Sequence, residues 1–193
     1  MRRAASRPHP SRTTALVAAV VVVVVLVAAV LLAASDDEAP LPAGSARVIE
    51  VIDGDTIVLD LAGSRETTRL LGIDTPEVRH PTRPVECWGA EASARLRQLA
   101  PPGTVVRVER DEEARDHYDR LLAYIYVGVP DSTEVFVNRQ LVAEGAAVTL
   151  PIDPNDAHRA ELAQAEQAAR AAGAGMWGAC GGPGVAVDAV TGR

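Results

Sequence analysis

Residues 15–34 (ALVAAVVVVVVLVAAVLLAA) run for 20 positions without a polar side chain. Coiled as a helix at about 1.5 Å per residue, the run is roughly 30 Å long, the thickness of bilayer hydrocarbon. A soluble helix keeps a polar face, and this one has none. Arg2, Arg3, Arg7 and Arg12 precede it with no acidic residue among them. That asymmetry predicts a cytoplasmic stub at 1–14 and a chain that crosses outward. The length of the run favours an uncleaved anchor. A cleaved signal peptide is the alternative, with Ala33-Ala34-Ser35 as its small-residue exit. Residues 35–46 are acidic and rich in Pro and Gly, the composition of a flexible linker.

From Arg47 the pattern changes to short β-type runs. RVIEVIDGDTIVLDL reads as two strands broken at Asp53-Gly54-Asp55, and TTRLLGI as a third after Ala62-Gly63-Ser64. TVVRVER and RLLAYIYV are two more. Residues 89–99 set Ala92, Leu96 and Leu99 on one helical face, and Pro101-Pro102-Gly103 stops them. Residues 136–144 read as a second helix ended by Gly145. A third is capped by Asn155 or Asp156 and runs to Ala172 and Gly173. Five strands and three helices in this order predict an α+β, mainly β domain over 47–180, a five-stranded OB-type barrel with packed helices. A ferredoxin-like α+β sheet is the competing topology. Residues 181–193 lack periodicity and read as a loose tail.

Charge complicates any reading as a nucleic-acid binder. All 19 basic residues are Arg, and setting aside the four N-terminal ones takes the formal charge from −7 to −11. Binding to a polyanion then depends on a bound cation and a few placed arginines, not on a basic surface. The two cysteines, Cys87 and Cys180, form an even pair in a domain predicted to be exported, which implies one disulfide. Closing a loop of about 94 residues, it contributes about 4–5 kcal/mol in the chain-entropy model.

Four segments carry candidate chemistry: Asp53-Gly54-Asp55-Thr56, residues 69–77 (RLLGIDTPE), Tyr118-Asp119-Arg120 and Glu86-Cys87-Trp88-Gly89. Each alone is an ordinary turn or strand end. Together they compose a reaction. Asp55 and Asp74 offer the hard oxygens that Ca²⁺ takes, and Pro76 biases Thr75 toward a conformation that aims its carbonyl at the same ion. Glu77 is placed to act on a water as general base. Arg69 and Arg120 bring planar forks that grip a phosphate and stabilise the charge growing on it. That set suffices for attack of water on a phosphodiester.

The stretch 48–177 resembles the thermonuclease, or staphylococcal nuclease-like, family: VIDGDT, RLLGIDTPE, HP…VECWGAEAS, DHYDRLLAYIY, LVAEGAA, DPNDAH and GMWG stand in family order. The resemblance implies an OB-fold barrel with three helices that hydrolyses DNA and RNA with one Ca²⁺ and leaves a 3′-phosphate. Asp55 and Asp74 match its calcium carboxylates, Thr75 its carbonyl ligand, Glu77 its base, and Arg69 and Arg120 its phosphate-binding arginines. Tyr118 matches a tyrosine on the terminal phosphate of a bound nucleotide. His117 replaces a lysine beside it, and Leu150 and Ile152 replace tyrosines that line the nucleotide pocket. Residues 80–88 align with a mobile loop at the site's edge, and Cys87 implies a disulfide at its far end.

The leading expectation is thus an extracytoplasmic calcium-dependent nuclease, membrane-tethered or secreted, acting on DNA and RNA without an obligate protein partner. The alternatives are a non-catalytic OB-fold module that binds nucleic acid or protein at the cell envelope, and an envelope protein whose calcium only stabilises the fold. Drifted copies lose carboxylates or arginines, and Asp55, Arg69, Asp74, Glu77 and Arg120 all stand. Other groups read as structural: His158 in the last helix's first turn, Asp111, Glu112 and Glu113 in a solvated loop, and Trp177 as an anchor at the barrel base.

Overall fold

The computed structural model describes residues 21–25, 41–78, 84–128 and 133–191. Residues 21–25 are helical. The predicted stub, the rest of the predicted spanning run and most of the linker lie outside the described residues. Among those described, no helix is long and apolar enough to cross a membrane.

The unit Leu41–Arg193 is built on strands β1 (Ser45–Val51), β2 (Thr56–Leu61), β3 (Ser64–Leu70), β4 (Ile73–Asp74), β5 (Val105–Glu109), β6 (Leu121–Val127), β7 (Val135–Phe136) and β8 (Val148–Thr149). Its helices are α1 (Gly89–Leu99), α2 (Val137–Ala143), α3 (Arg159–Ala172) and two short ones, α4 (Met176–Ala179) and α5 (Val187–Thr191). β1 pairs antiparallel with β2 and β5, β2 with β3, and β5 with β6. The parallel pairing of β3 with β6 closes the ring, Arg69 standing opposite Leu122. A ferredoxin-like sheet stays open, so this closure decides for the five-stranded OB-type barrel.

Two apolar clusters share β6. Ala123 and Ile125 enter the barrel core with Val48, Ile57, Leu59 and Leu70, whereas Leu122, Tyr124 and Tyr126 form a second cluster with Leu71. This follows from the two-residue period of a strand buried on both faces. Asn138 of α2, fully buried, fastens the seam: its Oδ1 accepts the Ile125 N–H at 3.0 Å, and its Nδ2 donates to the Leu71 carbonyl at 2.9 Å.

Several expectations change. The third predicted strand is two, because Gly72 adopts φ 74°, a conformation that suits glycine, and turns the chain between β3 and β4. Neither Asn155 nor Asp156 caps α3: His158 stands at the N-cap position without a side-chain capping bond, and the Asn155 Oδ1 instead accepts the Glu113 N–H at 2.8 Å. Of the predicted solvated loop, Glu112 and Glu113 are exposed, whereas Asp111 is half-buried and accepts the Ala157 N–H at 3.0 Å and the Tyr124 hydroxyl at 3.1 Å. Met176 is fully buried, whereas Trp177 is only partly so, with Arg170 over its ring. The predicted loose tail is held: Cys87 N–H donates to Val185 O at 2.7 Å, Val187 N–H donates to Val85 O at 3.0 Å, and Cys87 is disulfide-bonded to Cys180.

Candidate active site

The β1–β2 turn is fixed from inside. Ile52 N–H donates to Thr56 O at 2.9 Å, and the Asp53 carboxylate accepts the Asp55 N–H at 3.1 Å, an Asx-type closure. Because Thr56 stands opposite Arg69 in the β2–β3 register, Asp55 emerges beside the Arg69 side chain. The Gly72 turn then carries Asp74 back to the same place. Closure of β3 onto β6 brings Arg120, one residue before β6, to that rim.

The result is one cavity of about 260 Å³, lined by Asp53, Asp55, Arg69, Asp74, Glu77 and Arg120, with Thr56, Thr75, Pro76 and Val78. Arg69, almost wholly buried, bridges both candidate metal carboxylates. Its Nη2 lies 2.9 Å from Asp74 Oδ1 and 3.3 Å from Asp55 Oδ2, while Nη1 donates to the Leu70 carbonyl at 2.8 Å. Asp55 is 7% exposed; its Oδ2 also accepts the Thr75 N–H at 3.0 Å and hydroxyl at 3.1 Å, and its Oδ1 accepts the Thr56 hydroxyl at 3.0 Å.

Charge in this cavity is unbalanced toward the negative. Asp74 is raised above the ordinary carboxylate range, first by desolvation on its inner side and next by the charge of Asp55, with Arg69 opposing. Burial and then Asp55 raise Asp53 likewise. Gathered hard oxygens whose repulsion one guanidinium leaves unrelieved fit a divalent cation. Among the described residues no group of three or more His, Cys, Asp or Glu side chains is placed to hold a metal ion. An ion on Asp55 and Asp74 would therefore have to draw the rest of its shell from backbone oxygen and water.

Arg120 reaches the cavity under the control of Asp116. Its Nε and Nη2 each lie 2.7 Å from Asp116 Oδ2, and its N–H donates to Oδ1 at 3.0 Å. Burial opposes ionisation of Asp116, but the hydrogen bonds from Arg120 outweigh it and hold the carboxyl below its usual range. Tyr118 and His117 do not line the cavity. Their rings meet beside it at 3.7 Å between centroids, tilted by 43°, with the Tyr118 ring 5.4 Å from the Arg120 guanidinium carbon and 70% exposed. Ile152 packs on the second apolar cluster, and Leu150 is 41% exposed, so neither forms an aromatic wall.

Sequence reasoning assigned no role to Asp53, Asp116 or the Glu86 carboxylate. Glu86 Oε2 accepts the Glu77 N–H at 3.1 Å, and Glu86 N–H donates back to Glu77 O at 2.8 Å. The Asp116–Arg120 spacing of four was a usable signal; nothing local marked the pairing of Glu86 with Glu77. Residues 80–83 of the predicted mobile loop lie outside the described residues.

Comparison with known proteins agrees with this geometry. The family model described as "Staphylococcal nuclease homologue" matches residues 67–179, a span that holds Arg69, Asp74, Glu77 and Arg120 and begins after Asp55. Over 109 residues, 56% of the chain, it is 40% identical to a thermonuclease of Staphylococcus hyicus, and over 112 residues, 58% of the chain, 42% identical to a thermonuclease of Staphylococcus intermedius. It is also 40% identical over 106 residues, 54% of the chain, to endonuclease YncB of Bacillus subtilis (strain 168). These matches span 61%, 63% and 47% of the relatives' own lengths, less than two thirds in each case. With more than half its length matched and the cavity residues in place, the chain belongs to the staphylococcal nuclease homologue family.

Proposed function

We propose that this protein is a calcium-dependent nuclease that hydrolyses phosphodiester bonds of DNA and RNA, with Glu77 as general base and Arg69 and Arg120 as phosphate-binding groups. The observation that carries the reading is the convergence of Asp55, Arg69, Asp74, Glu77 and Arg120 on one cavity. The relatives named thermonuclease and endonuclease support the same reaction class.

Arg120, aimed by Asp116, offers its free edge to the two non-bridging oxygens of the scissile phosphate. Arg69 adds positive charge at the cavity floor, in surroundings where a fixed guanidinium acts more strongly than in water. Glu77 takes a proton from the water that adds to phosphorus opposite the leaving oxygen; the P–O5′ bond then breaks, the 5′-oxygen takes up a proton from solvent water to leave as a 5′-hydroxyl, and a 3′-phosphate remains. When bound, calcium supplies Lewis-acid charge at the phosphate, held by the Asp55 and Asp74 carboxylates and the Thr75 carbonyl. Tyr118, with His117 beside it, receives the flanking nucleotide. Without tyrosines at 150 and 152 the domain forgoes stacking of roughly 1–3 kcal/mol per base. The disulfide and the arginine-flanked run at 15–34 support action outside the cytoplasm, on a membrane tether or as a secreted form.

The test is cleavage of single-stranded DNA by the full chain in mild detergent, with calcium or a chelator, alongside Glu77→Gln. Calcium-dependent release of 3′-phosphate ends, slowed about 10²-fold or more in the variant, is expected. Absence of cleavage in calcium would leave the non-catalytic binding module as the reading. Full activity in Glu77→Gln would remove Glu77 as the base.

A further inference from the structure

We infer that the Cys87–Cys180 disulfide and the C-terminal segment at residues 185–187 form a positioning clamp on Glu77. Cleavage then depends on the oxidation state of this cysteine pair. The inference deepens the nuclease reading and rests on it for its rate arm only.

The main chain of Glu77 has two close neighbours, Glu86 and Gly89. Glu86 grips it with a reciprocal pair, carboxylate to N–H and N–H to carbonyl. The start of α1 lies close to the same carbonyl: a Cβ built on Gly89 would lie 2.8 Å from Pro76 O and 3.1 Å from Glu77 O. The segment carrying Glu86 is in turn held on its outer edge. Val85 O and Cys87 N–H bond residues 187 and 185, and Glu86 bridges Ala186 antiparallel. Strand pairing of so few residues is marginal by itself. The disulfide supplies what it lacks. Cys180 follows α4, whose Met176 is fully buried and donates its N–H to Gly145 O at 2.9 Å. A covalent path therefore runs from the core through Cys180 to Cys87, one residue from Glu86 and so one hydrogen-bonded step from the candidate base.

A disulfide that served only global stability would lower the melting temperature and leave the rate of the folded enzyme alone. A clamp predicts that the base itself loosens. A dithiol opens the bond by passing two electrons and two protons to the two sulfurs, giving two thiols and leaving as its own disulfide. The Cys87→Ser/Cys180→Ser double variant mimics the open state without reductant.

The experiment compares the oxidised full chain, the same chain after dithiothreitol, and the double variant. It reads amide hydrogen exchange at Glu77 and Cys87, kcat and KM on single-stranded DNA, and the melting temperature. Opening the bond is expected to speed exchange at both amides by about tenfold or more. It should lower kcat by roughly 10-fold with KM within about twofold, at temperatures where the chain stays folded. In a Glu77→Gln background, opening it should leave the residual rate unchanged, because removal of one partner silences an effect that acts through it. Glu86→Gln, which keeps an acceptor for the Glu77 N–H, should retain kcat where Glu86→Ala loses it. Unchanged exchange at Glu77 and Cys87 would overturn the clamp whatever the activity, and so would an equal fall of rate in Glu77→Gln. An oxidised chain without cleavage would instead count against the nuclease reading, and the exchange data would still decide the clamp.

Discussion

Asp116 touches no reacting atom in the proposed chemistry, yet it aims Arg120. Asp116→Asn is the cleanest perturbation, because an asparagine keeps an oxygen at the Oδ1 position, where the Tyr118 and Arg120 N–H groups donate at 3.0 Å each. At the Oδ2 position it puts an NH₂ against the guanidinium Nε and Nη2, both 2.7 Å from that atom. Two charge-assisted bonds are exchanged for donors facing donors. Hydrogen bonds to charged groups contribute about 1.5–3 kcal/mol in mutational series, and partial exposure of Arg120 argues for the lower part of that range. At about 1.4 kcal/mol per tenfold, an Arg120 that loses this hold should cost kcat roughly 10- to 100-fold. The assay is steady-state cleavage of single-stranded DNA in saturating calcium, with Arg120→Ala measured beside it. Their combination tests the route: if Asp116 works through Arg120, the double variant is no slower than Arg120→Ala alone. A kcat for Asp116→Asn within twofold of wild type, beside a severe loss in Arg120→Ala, would refute the positioning argument.

Other consequences follow from single contacts. A Cβ at Gly54 would fall 2.6–2.9 Å from three atoms of the Thr75 side chain, so Gly54→Ala pushes Thr75 away from Asp55. The calcium concentration for half-maximal rate should then rise by about 10-fold or more, as for other loss of support to a ligand. Asn138→Ala strands the Ile125 N–H and the Leu71 carbonyl inside the fold and should cost about 2–6 kcal/mol, read from urea midpoints, since each buried unpaired group costs about 1–3 kcal/mol. Glu134, held by Arg107, and Glu144, held by Arg95, both titrate below the ordinary glutamate value. Their stabilisation is complete above that value, 4.5, and disappears as pH falls through the lower folded values. Urea midpoints should therefore decline below about pH 4.5, and less steeply in Arg95→Ala, where Glu144 loses its partner.

What could be read from the chain was local. Short β-type runs bounded by turn residues and the Pro-Pro-Gly stop after α1 placed most elements, and α1 has its predicted bounds, Gly89–Leu99. Turn chemistry at Asp53-Gly54-Asp55 and the RLLGIDTPE motif located the cavity's main groups. What sequence left open depends on distant partners. Asn155 has the chemistry of a helix cap, but its side chain meets the Glu113 N–H 42 positions away. Asp111 has the look of a solvated acid until Tyr124 and Ala157 are brought to it by the fold. Residues 185–187 have no periodicity, and their hydrogen bonds go to residues 85–87, about 100 positions away beside the Cys87–Cys180 disulfide. Break and re-entry at Gly72 were hidden because a glycine inside an apolar run reads as strand until its φ is known.

The account stands on Asp55 and Asp74 acting with Glu77 and Arg120 at one cation-binding rim. Its most direct test is the rate of single-stranded DNA cleavage as calcium is titrated, for the wild-type chain and Asp74→Asn side by side. Saturable activation in the wild type, and in the variant a curve displaced about 10-fold or more toward higher calcium, is the predicted result. Superimposable curves, or cleavage indifferent to calcium, would contradict it.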